Sequence, residues 1–190
     1  MMVVRGLLAP AVIALARQRR SGWLMAACIL AHTLLDIFDG MAARRLGVAT
    51  AQLRRMDSAI DTVFFLAVFY AAWLLQPQVL RANRVLIYIL IVCEAARYIF
   101  DSWKFGREAS YHMWSAKAWG LLLTAAATAL VAFGIAGPLL TAAIVLGIAS
   151  DIEGLLISAL LKESVEDVPH IARAWQLRVA QMRAIGNQSQ

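Results

Sequence analysis

Six apolar stretches divided by charged connections dominate this chain: Val3–Ala16, Trp23–Phe38, Ile60–Leu75, Val85–Phe100, Trp114–Phe133 and Leu139–Leu161. A helix needs about 20 mostly apolar residues to cross a bilayer, within a range of about 17–25. The last two, of 20 and 23 residues, meet that length, and the three before them, of 16 each, fall just below it. The first is short, and snorkelling of Arg5 at one end and of Arg17, Arg19 and Arg20 at the other would extend it to both interfaces. The pattern predicts an all-α integral membrane bundle of six transmembrane helices. Composition agrees, at 62% hydrophobic and 16% charged residues, against about 45–50% and about 25% for soluble domains. It excludes intrinsic disorder and argues against a soluble enzyme. Cys28 and Cys93 lie in apolar runs and cannot form a disulfide framework or a cysteine zinc site.

Residues Ser164–Ile185 read differently. Val168, Ile171, Ala172, Trp175, Val179 and Met182 recur at helical spacing, with Arg173, Arg178 and Arg183 between them. That predicts an amphipathic helix on the membrane surface, so residues 1–163 form the membrane domain and 164–190 a surface helix and tail. Gly134–Pro138 predicts a tight turn. Trp23, Trp73, Trp103 and Trp114 fall near span ends, as an aromatic belt requires. No cleavable signal peptide is expected at the N-terminus.

The net charge of +6 does not point to nucleic acid, because the basic residues lie mostly between apolar runs, where they set topology and meet lipid headgroups. With the 39–57 connection on the cytoplasmic side, eleven Lys and Arg residues fall on that side and five on the other. This orientation follows the positive-inside rule.

Acidic residues are scarce, twelve in all, yet four lie between Asp36 and Asp61. Asp36 and Asp39 are three apart; Asp57 and Asp61 are four apart. On helices each pair shares one face. An ionised Asp at the centre of a spanning helix costs about 2.5–3.5 kcal/mol, and less near the ends, so something cationic must offset four of them. The residues leave two candidates open. One is Arg44, Arg45, Arg54 and Arg55; the other is a divalent cation, since clustered carboxylates suit Mg²⁺ or Mn²⁺ bridged to phosphates. Gly40 would permit close approach of a phosphate to the backbone.

The run Asp36-x2-Asp39-Gly40-x2-Ala43-Arg44, followed by Asp57-x3-Asp61, resembles the signature of CDP-alcohol phosphotransferases, D-x2-D-G-x2-A-R-x8-G-x3-D-x3-D. The match covers all four aspartates, the first glycine, the Ala-Arg pair and the full spacing. Leu53 stands where the family has its second glycine, which implies two elements pushed apart or a narrower pocket. The resemblance implies a membrane enzyme of phospholipid synthesis at the cytoplasmic face, as in a bacterial inner membrane. It would transfer a phosphatidyl group from CDP-diacylglycerol to a small polar alcohol and release CMP. By position, Asp36, Asp39, Asp57 and Asp61 would hold Mg²⁺ or Mn²⁺, and Asp61 would also be the general base. Gly40, Ala43 and Arg44 would line the nucleotide site. A homodimer among membrane lipids is expected on the same ground, with no nucleic-acid partner.

Arg97 is a candidate for binding an acceptor phosphate, against an intramembrane pair with Glu94. Lys117 resembles the first Lys of the G-K-x-K-T element in phosphatidylglycerophosphate-synthase-like members, although Trp119 occupies the second Lys position. Asp151 and Glu153 cannot share a helical face, and at least one is expected to be functional. His32, one turn before Asp36, reads as a core histidine rather than a ligand. The same fold with another CDP-alcohol donor, or a catalytically degenerate member, is an alternative. An intramembrane prenyltransferase is more distant, since Asp101 with Glu108 makes a poor second Asp-rich motif.

Asp61→Asn is expected to abolish CMP release while largely keeping donor binding. Turnover at the wild-type rate would remove Asp61 from the role of base.

Overall fold

Apolar residues recurring at intervals of three and four, with no sustained alternation, produce helices throughout. The computed structural model describes residues 2–19, 21–46, 51–107, 109, 111, 113–161, 163, 165 and 168–188, and their side chains except at 44, 51–55 and 180–188. Among these residues lie eight helices and no strand: α1 (Met2–Arg17), α2 (Gly22–Arg45), α3 (Ala51–Leu75), α4 (Pro77–Ala82), α5 (Arg84–Phe105), α6 (Trp114–Phe133), α7 (Pro138–Leu160) and α8 (Ile171–Gln188).

Among the described residues, four helices are long and apolar enough to cross a membrane: Gly22–Ala43, Met56–Leu75, Trp114–Phe133 and Pro138–Leu160. They mark a membrane protein. The other two expected spans are helical but fall short of that standard for physical reasons. Helix α1 has 16 residues, and α5 carries Glu94, Arg97 and Asp101 within its apolar stretch. Many apolar side chains on the helices face outward, among them Leu66, Ile99 and Leu121, as lipid-facing positions do. The four expected belt tryptophans, Trp23, Trp73, Trp103 and Trp114, are all exposed.

The chain divides into two compact units. The first comprises Met1–Asn83 and Thr124–Leu140; the second comprises Arg84–Leu123 and Thr141–Gln190. In the first, α1 packs on α3 and α2 through one stripe, Arg5, Ala9, Val12 and Ala16, spaced four, three and four apart. The small residues on that stripe let α1 approach closely. Met25, Ala26, Ile29 and His32 form the matching buried stripe of α2, and Phe64, Ala67, Val68, Ala71 and Ala72 that of α3. Pro77 stops α3 and opens the short α4, which lies between the third and fourth apolar stretches. Gly134, at φ 66°, ends α6 in the left-handed region, and Pro138 starts α7 as expected from the turn signal.

In the second unit, Ala109, Tyr111, Met113, Ile157, Leu161, Val168 and Ala174 form a buried cluster. The amphipathic helix therefore begins at Ile171 rather than Ser164. Pro169 disfavours helical geometry at the residue before it, so Val168 enters the core ahead of the helix. His170 accepts the first helical N–H groups, from Arg173 at 3.0 Å and Ala174 at 3.4 Å.

Gly22 tests the packing of the first unit. A Cβ there would lie 1.8 Å from the Ala132 carbonyl oxygen. Gly22→Ala is expected to destabilise the chain by about 1–3 kcal/mol, read by thermal unfolding in detergent. Gly6→Ala, whose added carbon meets nothing within 4 Å, should leave stability unchanged or raise it by up to about 1 kcal/mol.

Candidate active site

The buried stripe of α2 does not end with its apolar residues. It continues through half-buried Asp36, Asp39, Gly40 and Ala43, while Ile37, Phe38 and Ala42 point outward. On α3 the stripe that runs from Phe64 to Ala72 is preceded by half-buried Asp57 and Asp61. Packed on α1, the two helices thus bring both aspartate pairs to one place. One oxygen from each of Asp36, Asp57 and Asp61 lies within 4.8 Å of the others.

The centre of this cluster is Arg5 of α1, which is completely buried. Its guanidinium bonds Asp57 through Nη1 and Asp61 through Nη2. Nη2 also lies 2.9 Å from Asp36 Oδ1, and Nη1 3.9 Å from Asp39 Oδ2. The sequence reading had Arg5 snorkelling to the membrane interface; the structure corrects this. Arg5 lies on the inward stripe with Ala9, Val12 and Ala16, and four carboxylates make burial of its charge affordable. That spacing of four, three and four was the signal available in the sequence. The four arginines considered as counter-charges lie between the two aspartate pairs; Arg45 is exposed, and the side chains of Arg44, Arg54 and Arg55 lie outside the described residues. So do Gly47 and the side chain of Leu53.

His32 also reaches the cluster. Its Nε2 is 3.0 Å from Asp61 Oδ1, and its ring stacks on Phe64 at 3.7 Å between centroids and 5° between planes. His32 is a buried core residue, as expected, but it touches the candidate base. Both donors to Asp61, Arg5 and His32, fall on Oδ1. Among the described residues this leaves Oδ2 for another partner.

The donor set suits a hard divalent cation. Three carboxylate oxygens converge, and Asp39 Oδ2 is buried without a hydrogen-bond partner. Asp36, Asp39, Asp57 and Asp61 are the residues that would hold the ion.

The remaining candidates belong to the second unit. Arg97 donates from Nε to Asp151 Oδ1 at 3.1 Å and lies 3.9 Å from Asp101. Its stem covers Gly154, where an added Cβ would come 2.8 Å from Arg97 Cδ. Glu153 accepts from Ser115 Oγ at 2.5 Å and from the Ile171 N–H at 3.3 Å. Asp151 and Glu153 therefore serve different partners, as their spacing requires. Lys117 Nζ lies 4.9 Å over the Trp114 ring. Asp101 is fully buried and accepts from Ser158 and from the Ala109 N–H, so it anchors the segment after α5. Glu108 and His112 lie outside the described residues.

The family model for CDP-alcohol phosphatidyltransferase matches residues 1–160. The chain belongs to the CDP-alcohol phosphatidyltransferase family. Among curated proteins and among solved structures, no significant match is found. Family membership makes this a membrane transferase acting on a CDP-alcohol, and the matched range includes the aspartate cluster.

The hydrogen bond from His32 predicts a graded response. His32→Phe keeps the stack on Phe64 but loses the bond to Asp61, and should slow phosphatidyl transfer about tenfold with little change in donor KM. A single hydrogen bond to a charged group is worth about 1.5–3 kcal/mol. His32→Gln, which keeps a donor, should recover most of the rate. Equal rates for both variants would show that the bond does not matter.

Proposed function

We propose that this chain transfers a phosphatidyl group from CDP-diacylglycerol to a small polar alcohol, releasing CMP, with Mg²⁺ or Mn²⁺ held by Asp36, Asp39, Asp57 and Asp61. The observation that carries the reading is the convergence of three signature carboxylates to within 4.8 Å, at the place where α2 and α3 turn their buried stripes polar. A divalent cation bound there would neutralise the diphosphate and stabilise the leaving oxygen.

The chain's own residues do the rest. Gly40, on the same stripe as Asp36 and Asp39, carries no side chain to hold a phosphate away from α2. Ala43 keeps the next turn small, and Arg44 follows as the cation for the nucleotide. Asp61 takes the proton of the acceptor alcohol on Oδ2, while His32 holds Oδ1 and fixes the carboxylate plane. The alkoxide so formed attacks the phosphorus bearing the lipid; its P–O bond to CMP breaks as the new one forms. Arg97 and Lys117 are proposed to meet a polar group of the acceptor, and Lys117, paired only with a ring in the described contacts, is the more available of the two.

The cytoplasmic side is assigned to the cluster. With Arg5 moved from the flank to the interior, the balance of basic residues becomes ten against five and still favours that orientation. The six-span bundle, the 1–163 membrane domain, the surface placement of α8 and the homodimer belong to the same reading.

The test is CMP release from CDP-diacylglycerol in lipid vesicles, with glycerol 3-phosphate, serine, inositol and inositol phosphate offered in turn. CMP should appear with one acceptor, vanish on chelation and return with Mg²⁺ or Mn²⁺. Asp39→Asn should lower the rate at least a hundredfold. No CMP with any acceptor would sink the assignment.

A further inference from the structure

The cation that the described structure places among the aspartates is a side chain of this protein. Arg5 reaches Asp36, Asp57 and Asp61, the three residues whose oxygens converge. A guanidinium cannot be deprotonated in a protein. Its charge can leave this cluster only by moving, never by titrating. It also serves the cluster incompletely. Among the described side chains one guanidinium faces four carboxylates, Asp39 Oδ2 lies 3.9 Å away and has no hydrogen bond, and Arg5 Nε is itself buried without a partner.

From this we propose that Arg5 is a built-in counter-ion that competes with the divalent cation for the aspartate cluster. It holds the carboxylates together when the ion is absent and must be displaced from their shared oxygens when the ion binds. The competition rests on the metal site proposed above. It sets the affinity of that site below what four carboxylates alone would give. The released guanidinium, always charged and suited to bidentate contact with phosphate oxygens, then becomes available to the diphosphate of the donor.

The experiment measures Mn²⁺ binding to the purified full-length chain in detergent, by the electron paramagnetic resonance signal of free Mn²⁺, with no lipid substrate present. Arg5→Gln should bind Mn²⁺ at least tenfold tighter than wild type. Its thermal midpoint without divalent ions should fall, and Mn²⁺ should raise that midpoint more than it does in wild type. Arg5→Lys keeps one charge but reaches fewer oxygens, and should tighten binding about threefold; it carries the test if the Gln variant does not fold. Unchanged or weaker Mn²⁺ binding in these variants would overturn the proposal and make Arg5 an organiser of the site instead. Asp57→Asn with Asp61→Asn should abolish binding. If neither wild type nor Arg5→Gln binds Mn²⁺, the metal site itself falls and the competition with it.

Discussion

Carboxylates drawn to one point inside a bundle repel one another. Two unit charges about 5 Å apart interact by about 3 kcal/mol at an effective dielectric of about 20, and here three such oxygens lie within 4.8 Å. The cluster of Asp36, Asp57 and Asp61 stands only because a positive charge is placed among them. In the structure that charge is Arg5, entirely buried. The first unit is organised around this requirement. Helix α1 must come close enough for its side chain to reach both α2 and α3, and Ala9, Val12 and Ala16 give it a surface small enough to do so.

The second unit meets a similar constraint differently. Its acids are spread along two helices: Asp101 accepts from Ser158 and the Ala109 N–H, Asp151 from Arg97, and half-buried Glu153 from Ser115 and the Ile171 N–H. Tyr111 extends the first of these through its bond to Ser158 at 2.9 Å. Burial raises the pKa of its phenol above the usual value, an effect that this bond partly offsets. Lys104 completes the arrangement by donating to the Ser158 and Ala159 carbonyls at the end of α7, which otherwise lack intrahelical partners. Arg97 lies near both Asp151 and Asp101, and the other partners are neutral donors. The contrast with the first unit is one of geometry, since there three carboxylate oxygens converge on one place.

Much of this was legible from residue order. Helical spacing gave the helices, Pro77 and Pro138 their boundaries, and the three-and-four spacing of the aspartates their shared faces. Arg5 was misread because charge near the end of an apolar run has two outcomes, snorkelling or burial, and composition cannot choose between them. Its register with Ala9, Val12 and Ala16 could. The contact of His32 with Asp61 depends on α2 and α3 meeting at one particular rotation, which pairwise spacing within a single helix does not encode. The later start of α8 came from Pro169, a backbone effect that the apolar periodicity overrode in the reading of Val168.

The edge-on contact of Trp23 with Phe133, 4.9 Å between centroids, acts as a depth gauge. Both rings sit at the ends of their helices, where aromatic side chains meet the headgroups. From Trp23, α2 rises about 1.5 Å per residue, so Asp36 and Asp39 lie roughly 20–24 Å further on. The hydrocarbon layer is about 30 Å thick. The aspartates of an upright α2 therefore stop several ångströms short of the opposite water boundary. A lipid arriving from that leaflet would keep its acyl chains at their resting level, and only its polar head would have to sink into the protein.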